Sequence, residues 1–270
     1  MARVRARFPF LPALALTTGL SLLTACSGGG TDSAHAGSHD KKEGGPVVVA
    51  TTTWEAAFAR AAGAKDVKVI VPPSVQHAPD YEPKPSDLAA VADADFVLYA
   101  PFEPFAGKIK EAAGSDAELL AVNLDNTVDK ATAEVARLGE KFGTEKAAAA
   151  WTKSFNTEYG KLSAKVKKAW PGGHRPAVVA QAFSTWAAKL AGADVVGTYG
   201  PDAVTPRQVS KLSAKKPSLV LDNAHMSTGA VLPDSGAEQV EIANFPGKDL
   251  DLLAVYRNAA TAVEKGLAKH

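Results

Sequence analysis

The sequence predicts an α/β protein of two lobes joined by one long rigid helix, with a ligand cleft between the lobes. Each lobe carries a parallel sheet of about four strands flanked by helices. Three observations lead there. Short β-branched runs alternate with helix-like runs in both halves of the 270-residue chain, the pattern of parallel sheets covered on both faces. Between the halves, Trp151, Phe155, Tyr159, Leu162, Val166 and Trp170 recur every three or four residues and so share one stripe of a helix from Thr144 to Trp170. Such a helix is roughly 40 Å long at 1.5 Å per residue, longer than a small domain is wide. Pro171-Gly172-Gly173 then stops it, and the strand–helix alternation starts again. The simpler alternative is a long helix packed on a single α/β domain.

Residues 1–26 read as a lipoprotein signal. Arg3, Arg5 and Arg7 precede an apolar stretch from Phe8 to Leu23, and Leu23-Thr24-Ala25-Cys26 resembles a bacterial lipobox. Lipidation of Cys26 would hold the chain on a membrane surface without spanning it. The chain has a single cysteine, which leaves no disulfide, Cys-ligated zinc site or thiol nucleophile in the folded part. Residues 27–46, rich in Gly, Ser, Lys and Asp, have too few apolar side chains to fold and read as a flexible tether.

The first lobe, 47–143, reads β-α-β-α-β-α-β-α. Strands are predicted over Val47–Thr52, Val67–Val71, Asp95–Ala100 and Glu118–Val122, with helices over Trp54–Ala62, Pro85–Ala92, Phe105–Ala113 and Asp129–Phe142. Pro85-Ser86-Asp87 opens the second helix with a proline in its first turn. After the linking helix, 144–170, the second lobe, 171–270, repeats the plan. Strands are predicted over Ala177–Gln181, Asp194–Thr198, Ser218–Asp222 and Gln239–Ala243, and helices over Phe183–Leu190, Pro206–Ala214 and Leu250–Ala268. Ligands of open parallel sheets bind beyond the carboxyl ends of the strands, so the loops there carry the candidate chemistry.

With 30 Lys and Arg against 29 Asp and Glu, the chain has a net charge of +1 and no basic stripe, which argues against nucleic acid. There is no Gly-rich phosphate loop, nucleophile elbow or zinc-protease helix. Trp54, Tyr81, Phe102, Phe183 and Trp186 could line an aromatic pocket for a small organic ligand or simply belong to the core.

The run Asp80-Tyr-Glu-Pro-Lys-Pro-Ser-Asp-Leu88, followed by Ala92-Asp-Ala-Asp-Phe-Val-Leu-Tyr99, resembles the zinc/manganese-type (ZnuA/TroA-like) solute-binding lipoproteins of bacterial metal ABC importers. Val48 to Trp54 is similar to their first strand, and Gln181 to Ala187 to the strand-to-helix segment of their second lobe. The resemblance spans roughly Val47 to Leu267, specific in the first lobe and loose in the second. It implies two α/β lobes on one long helix. It also implies an extracytoplasmic, lipid-anchored monomer that hands zinc or manganese to an ABC permease and its ATPase. No organic cofactor and no enzymatic activity are implied.

The metal positions depart from the family pattern. Its first histidine falls on Pro79, with His77 the nearest imidazole; the second corresponds to Asp125; the third falls at Ala180 and Gln181; the fourth ligand, an Asp, aligns with Asn244. The expected metal set is therefore His77, Asp125, Asp222 and His225, a mixture of nitrogen and oxygen donors suited to zinc or manganese. Asp80, Glu82, Gln181 and Asn244 are additional candidates, and for Glu82 the favoured reading is that it holds its loop through a backbone hydrogen bond. Loss of the usual histidines leaves open a second binding reading, with a chelated metal or a non-metal solute as cargo. A surface hydrolase is the alternative from another class.

Overall fold

The computed structural model describes residues 45–75 and 78–269. The expectations placed on Cys26, on residues 27–44 of the tether and on His77 lie outside them.

In the first lobe, β1 (Val47–Ala50), α1 (Thr53–Ala61), β2 (Asp66–Val69), α2 (Pro85–Ala92), β3 (Phe96–Tyr99), α3 (Ala106–Ala113) and β4 (Glu118–Ala121) alternate. All the pairings are parallel, in the order β2-β1-β3-β4. After α4 (Val128–Phe142) and α5 (Glu145–Lys168), the second lobe runs β5 (Ala177–Gln181), α6 (Thr185–Ala191), β6 (Asp194–Tyr199), α7 (Pro206–Ser213), β7 (Leu219–Asn223), β8 (Glu238–Ile242) and α8 (Leu252–Leu267). Its sheet has the matching order β6-β5-β7-β8, again all parallel. In each sheet the chain leaves its first strand to one side and later crosses to the other. A switch point therefore falls between β1 and β3, and another between β5 and β7.

Local chemistry sets the helix ends. Thr52 caps α1, its backbone N–H and hydroxyl both donating to Glu55, a capping box that satisfies otherwise orphaned groups of the first turn. Gly143, at φ +67°, closes α4 in the left-handed conformation. Beside it, α4 and α5 approach so closely that a Cβ on Gly139 would stand 2.6 Å from that of Ala148.

The linking helix, α5, has 24 residues and spans about 36 Å. Its apolar stripe binds both lobes. Phe155 and Val166 are fully buried, and Trp151, Tyr159 and Leu162 are partly so. One continuous core joins Phe58 of α1, Leu138 of α4, Phe155 of α5, Trp186 of α6 and Tyr256 of α8. Trp170, expected inside the helix, lies just beyond it and donates its indole N–H to the Ala191 carbonyl at 3.1 Å. That bond ties the end of the helix to the second lobe.

Candidate functional site

The loops at the carboxyl ends of the strands meet where the lobes adjoin. After β1, Thr53 and Trp54 open α1; after β4, Asn126 precedes α4; after β8 come Asn244, Phe245 and Pro246; after β5, Trp186 lies on α6. These residues form a hydrogen-bonded junction. Trp54 Nε1 donates to Asn126 Oδ1 at 3.3 Å, and Asn126 Nδ2 donates across the lobes to the Asn244 carbonyl at 2.6 Å. Trp186 Nε1 donates to Asn244 Oδ1 at 2.7 Å, and the Tyr256 hydroxyl to the Asn126 carbonyl at 2.8 Å. Thr53 Oγ1 adds a second crossing, to the Pro246 carbonyl at 2.8 Å. The rings of Trp54 and Phe245 lie 5.6 Å apart.

Asn126 and Asn244 are both buried, and each side-chain amide is engaged. Buried amides matched in this way cost little and fix orientation, whereas the same groups left unpaired would be expensive. Asn244 stands at the position that the family resemblance gives to an acidic ligand. Its partner across the junction is Asn126, next to the Asp125 expected from sequence. The residue order alone could not separate those neighbours; the burial of one and exposure of the other does.

Asp125 is exposed, its Oδ1 accepting the Thr127 backbone N–H at 2.8 Å in a turn before α4. Asp222 is buried at the end of β7 and fully engaged within the second lobe. Its Oδ1 accepts from the Tyr199 hydroxyl at 2.7 Å, and its Oδ2 accepts from Ser227 Oγ at 2.7 Å and Gln239 Nε2 at 3.2 Å. Burial and the Asp222 carboxylate together hold the Tyr199 phenol protonated, well above its ordinary range. His225 lies in the exposed loop after β7, one ring face stacked on Phe245 at 3.8 Å and 16°. Partial desolvation lowers its pKa, which favours the neutral imidazole that a metal needs.

Among the described residues, no group of three or more His, Cys, Asp or Glu stands close enough together to hold a metal ion. Asp125, Asp222 and His225 therefore form no such group by themselves, and Asp125 and Asp222 are committed to local hydrogen bonds. Of the additional candidates, Glu82 is exposed and paired with Lys108 at 2.7 Å, which lowers its pKa. That partner, rather than backbone, holds it. Asp80 is exposed in a 3-10 turn that precedes α2. Gln181 is buried, its Oε1 accepting the Phe183 N–H at 2.6 Å, and its Nε2 has no partner. Gln181 thus holds a buried, unanswered donor, the opposite of what a cation requires. The five aromatic residues divide. Trp186 is core, Trp54 and Tyr81 are half-buried, and Phe102 and Phe183 are exposed at 73% and 55%, so no pocket encloses all five.

Two α/β lobes on a shared helical core, with polar residues gathered where their strand ends meet, make the fold that of a two-lobe solute-binding protein. Residues 47–146 match the family model of the zinc-uptake complex component A, periplasmic. Three solved structures are similar over nearly their whole length. The laminin-binding protein Lmb of Streptococcus agalactiae, described as a bifunctional protein with adhesin and metal transporting activity, is 18% identical at a TM-score of 0.61, with 83% of this chain and 100% of that one covered. FpvC of Pseudomonas aeruginosa, solved with Mn2+, is 12% identical at 0.60, with 82% and 97% covered. The periplasmic zinc-binding protein TroA of Treponema pallidum is 15% identical at 0.58, with 83% and 100% covered. At these identities the likeness establishes the fold. No curated protein sequence matches the chain.

Proposed function

We propose that the protein is an extracytoplasmic solute-binding lipoprotein that captures a transition metal, zinc or manganese, and delivers it to an ABC permease and its ATPase. Cys26 carries the lipid anchor, residues 27–46 are the tether, and the protein acts as a monomer. The observation that carries the reading is the first lobe's match to the zinc-uptake component, on a fold whose strand ends converge at the junction. Metal contact falls to His77 and His225, while Asp125 Oδ1 and both oxygens of Asp222 are engaged by residues of their own lobes. The amide-filled junction leaves this set poorer in donors than a four-ligand cage, so capture is weaker and less selective for zinc.

A second reading, a chelated metal or other solute with acceptor groups, draws on the unpartnered Nε2 of Gln181 and on the Asn126–Asn244 pairing. Elemental analysis of untagged protein extracted from membranes separates the two. About one zinc or manganese per chain, removable by chelator, is the expected result. Protein that carries neither ion, yet retains an organic molecule on extraction, moves the assignment to the second reading.

A further inference from the structure

A separate pair of acids lies inside the first lobe, at its switch point. Glu55, in the first turn of α1, is 0% exposed. Its Oε2 accepts from Thr52, while its Oε1 has no hydrogen-bond partner. Glu103 follows β3 and is 7% exposed, its Oε2 accepting the Ala100 N–H at 3.0 Å. Thr51, directly after β1, is also 0% exposed. Its hydroxyl adjoins both carboxyls yet makes no well-formed hydrogen bond. Among the described residues, no ion pair includes Glu55 or Glu103. Two buried oxygens without partners thus face a second buried carboxyl, an arrangement that folding alone would not favour.

We propose that Thr51 Oγ1, Glu55 Oε1 and the Glu103 carboxyl form an all-oxygen site for one hard divalent cation, of the Mn2+, Mg2+ or Ca2+ class. Oxygen-only donors select such ions over zinc, which prefers nitrogen and sulfur.

The cation supplies the charge that two neighbouring carboxylates require. Without it they cannot both ionise cheaply: burial first, then the charge of Glu55, pushes Glu103 up to about 8, and burial raises Glu55 as well. Glu103 therefore keeps its proton at neutral pH. Binding exchanges carboxyl protons for the ion: M2+ joins the site, the O–H bond of Glu103 breaks, as does that of Glu55 wherever burial has kept it protonated, and each H+ leaves to solvent. The sign for stability follows. With its pKa raised in the fold, Glu103 favours the folded state most fully below the unfolded carboxyl value of about 4.5, and that contribution is lost as pH rises through about 8. A bound cation offsets the loss.

The test uses Mn2+ as probe and the full chain carrying His77→Ala and His225→Ala, so the outcome is independent of the junction histidines. Electron paramagnetic resonance of free Mn2+ should report one ion bound per chain at pH 8. Affinity should fall at least about tenfold per pH unit below that, as the carboxyl protons compete. Glu103→Gln, which imitates the protonated carboxyl and so should keep the thermal midpoint at pH 7, should abolish binding. Thr51→Val should weaken it about tenfold. Failure to take up Mn2+ at pH 8, or equal uptake by a folded Glu103→Gln, would overturn the assignment.

Discussion

Tyr256→Ala is expected to lower the unfolding free energy by about 3–5 kcal/mol, measured by denaturant titration. Tyr256 has 0% exposure and stands where both lobes and the linking helix meet. Its ring packs edge-on against Phe155 at 4.8 Å and Trp186 at 5.0 Å. Truncation would open a cavity that three helices cannot all close over, and packed interiors lose both transfer energy and contacts in that case. The hydroxyl adds a separate contribution through its bond to the Asn126 carbonyl, and burial keeps the phenol protonated so that it remains a donor. Tyr256→Phe isolates that contribution, with an expected loss of about 1–2 kcal/mol. A Tyr256→Ala loss below about 1 kcal/mol would mean that the lobes do not share one core.

Asn244→Ala should cost about 2–3 kcal/mol, because it strips the Trp186 indole N–H of its buried acceptor while leaving the backbone bond from Asn126 in place. The change to Trp186→Phe removes the donor as well. In a double-mutant cycle the two substitutions should therefore cost about 1–2 kcal/mol less together than the sum of their separate effects. Additivity would place the energetic weight elsewhere than in the Asn244–Trp186 bond. The junction bonds and the core beneath them should also resist opening, with little change expected in the radius of gyration by solution scattering on addition of zinc.

Much of this fold was legible in the residue order, because strong local signals agreed with the tertiary structure. The Trp151–Phe155–Tyr159 stripe, Pro85 at the head of α2, and the β-branched runs at Val47 and Val178 each had one physical reading, and all eight strands fall within a residue or two of expectation. Helix α6 begins two residues late, at Thr185 instead of Phe183. The Gln181 side chain captures the Phe183 N–H and imposes a 3-10 turn first, a contact that no periodicity announces.

The site was far less legible. Chain position brought Asp222 to a strand end correctly, but could not reveal that Tyr199, Ser227 and Gln239 claim its oxygens. Asp125 and Asn126 are neighbours in sequence, and only the fold decides which one turns inward. Glu55 reads as an ordinary helix-cap acid, and Glu103 as a loop acid 48 residues later. Their meeting depends on the adjacency of β1 and β3, which follows from the parallel topology and not from local pattern.

The proposed capture of metal is tested most directly by calorimetric titration of zinc and of manganese into the full chain and into its His77→Ala and His225→Ala variants. Wild type should bind one of these ions with an affinity that drops at least about tenfold in each variant. Partial desolvation lowers the His225 pKa, so its imidazole stays neutral to lower pH than a free histidine's, and binding should weaken in acid as the histidines protonate. Wild-type protein that binds neither ion at neutral pH, or histidine variants that bind as tightly as wild type, would contradict the metal assignment.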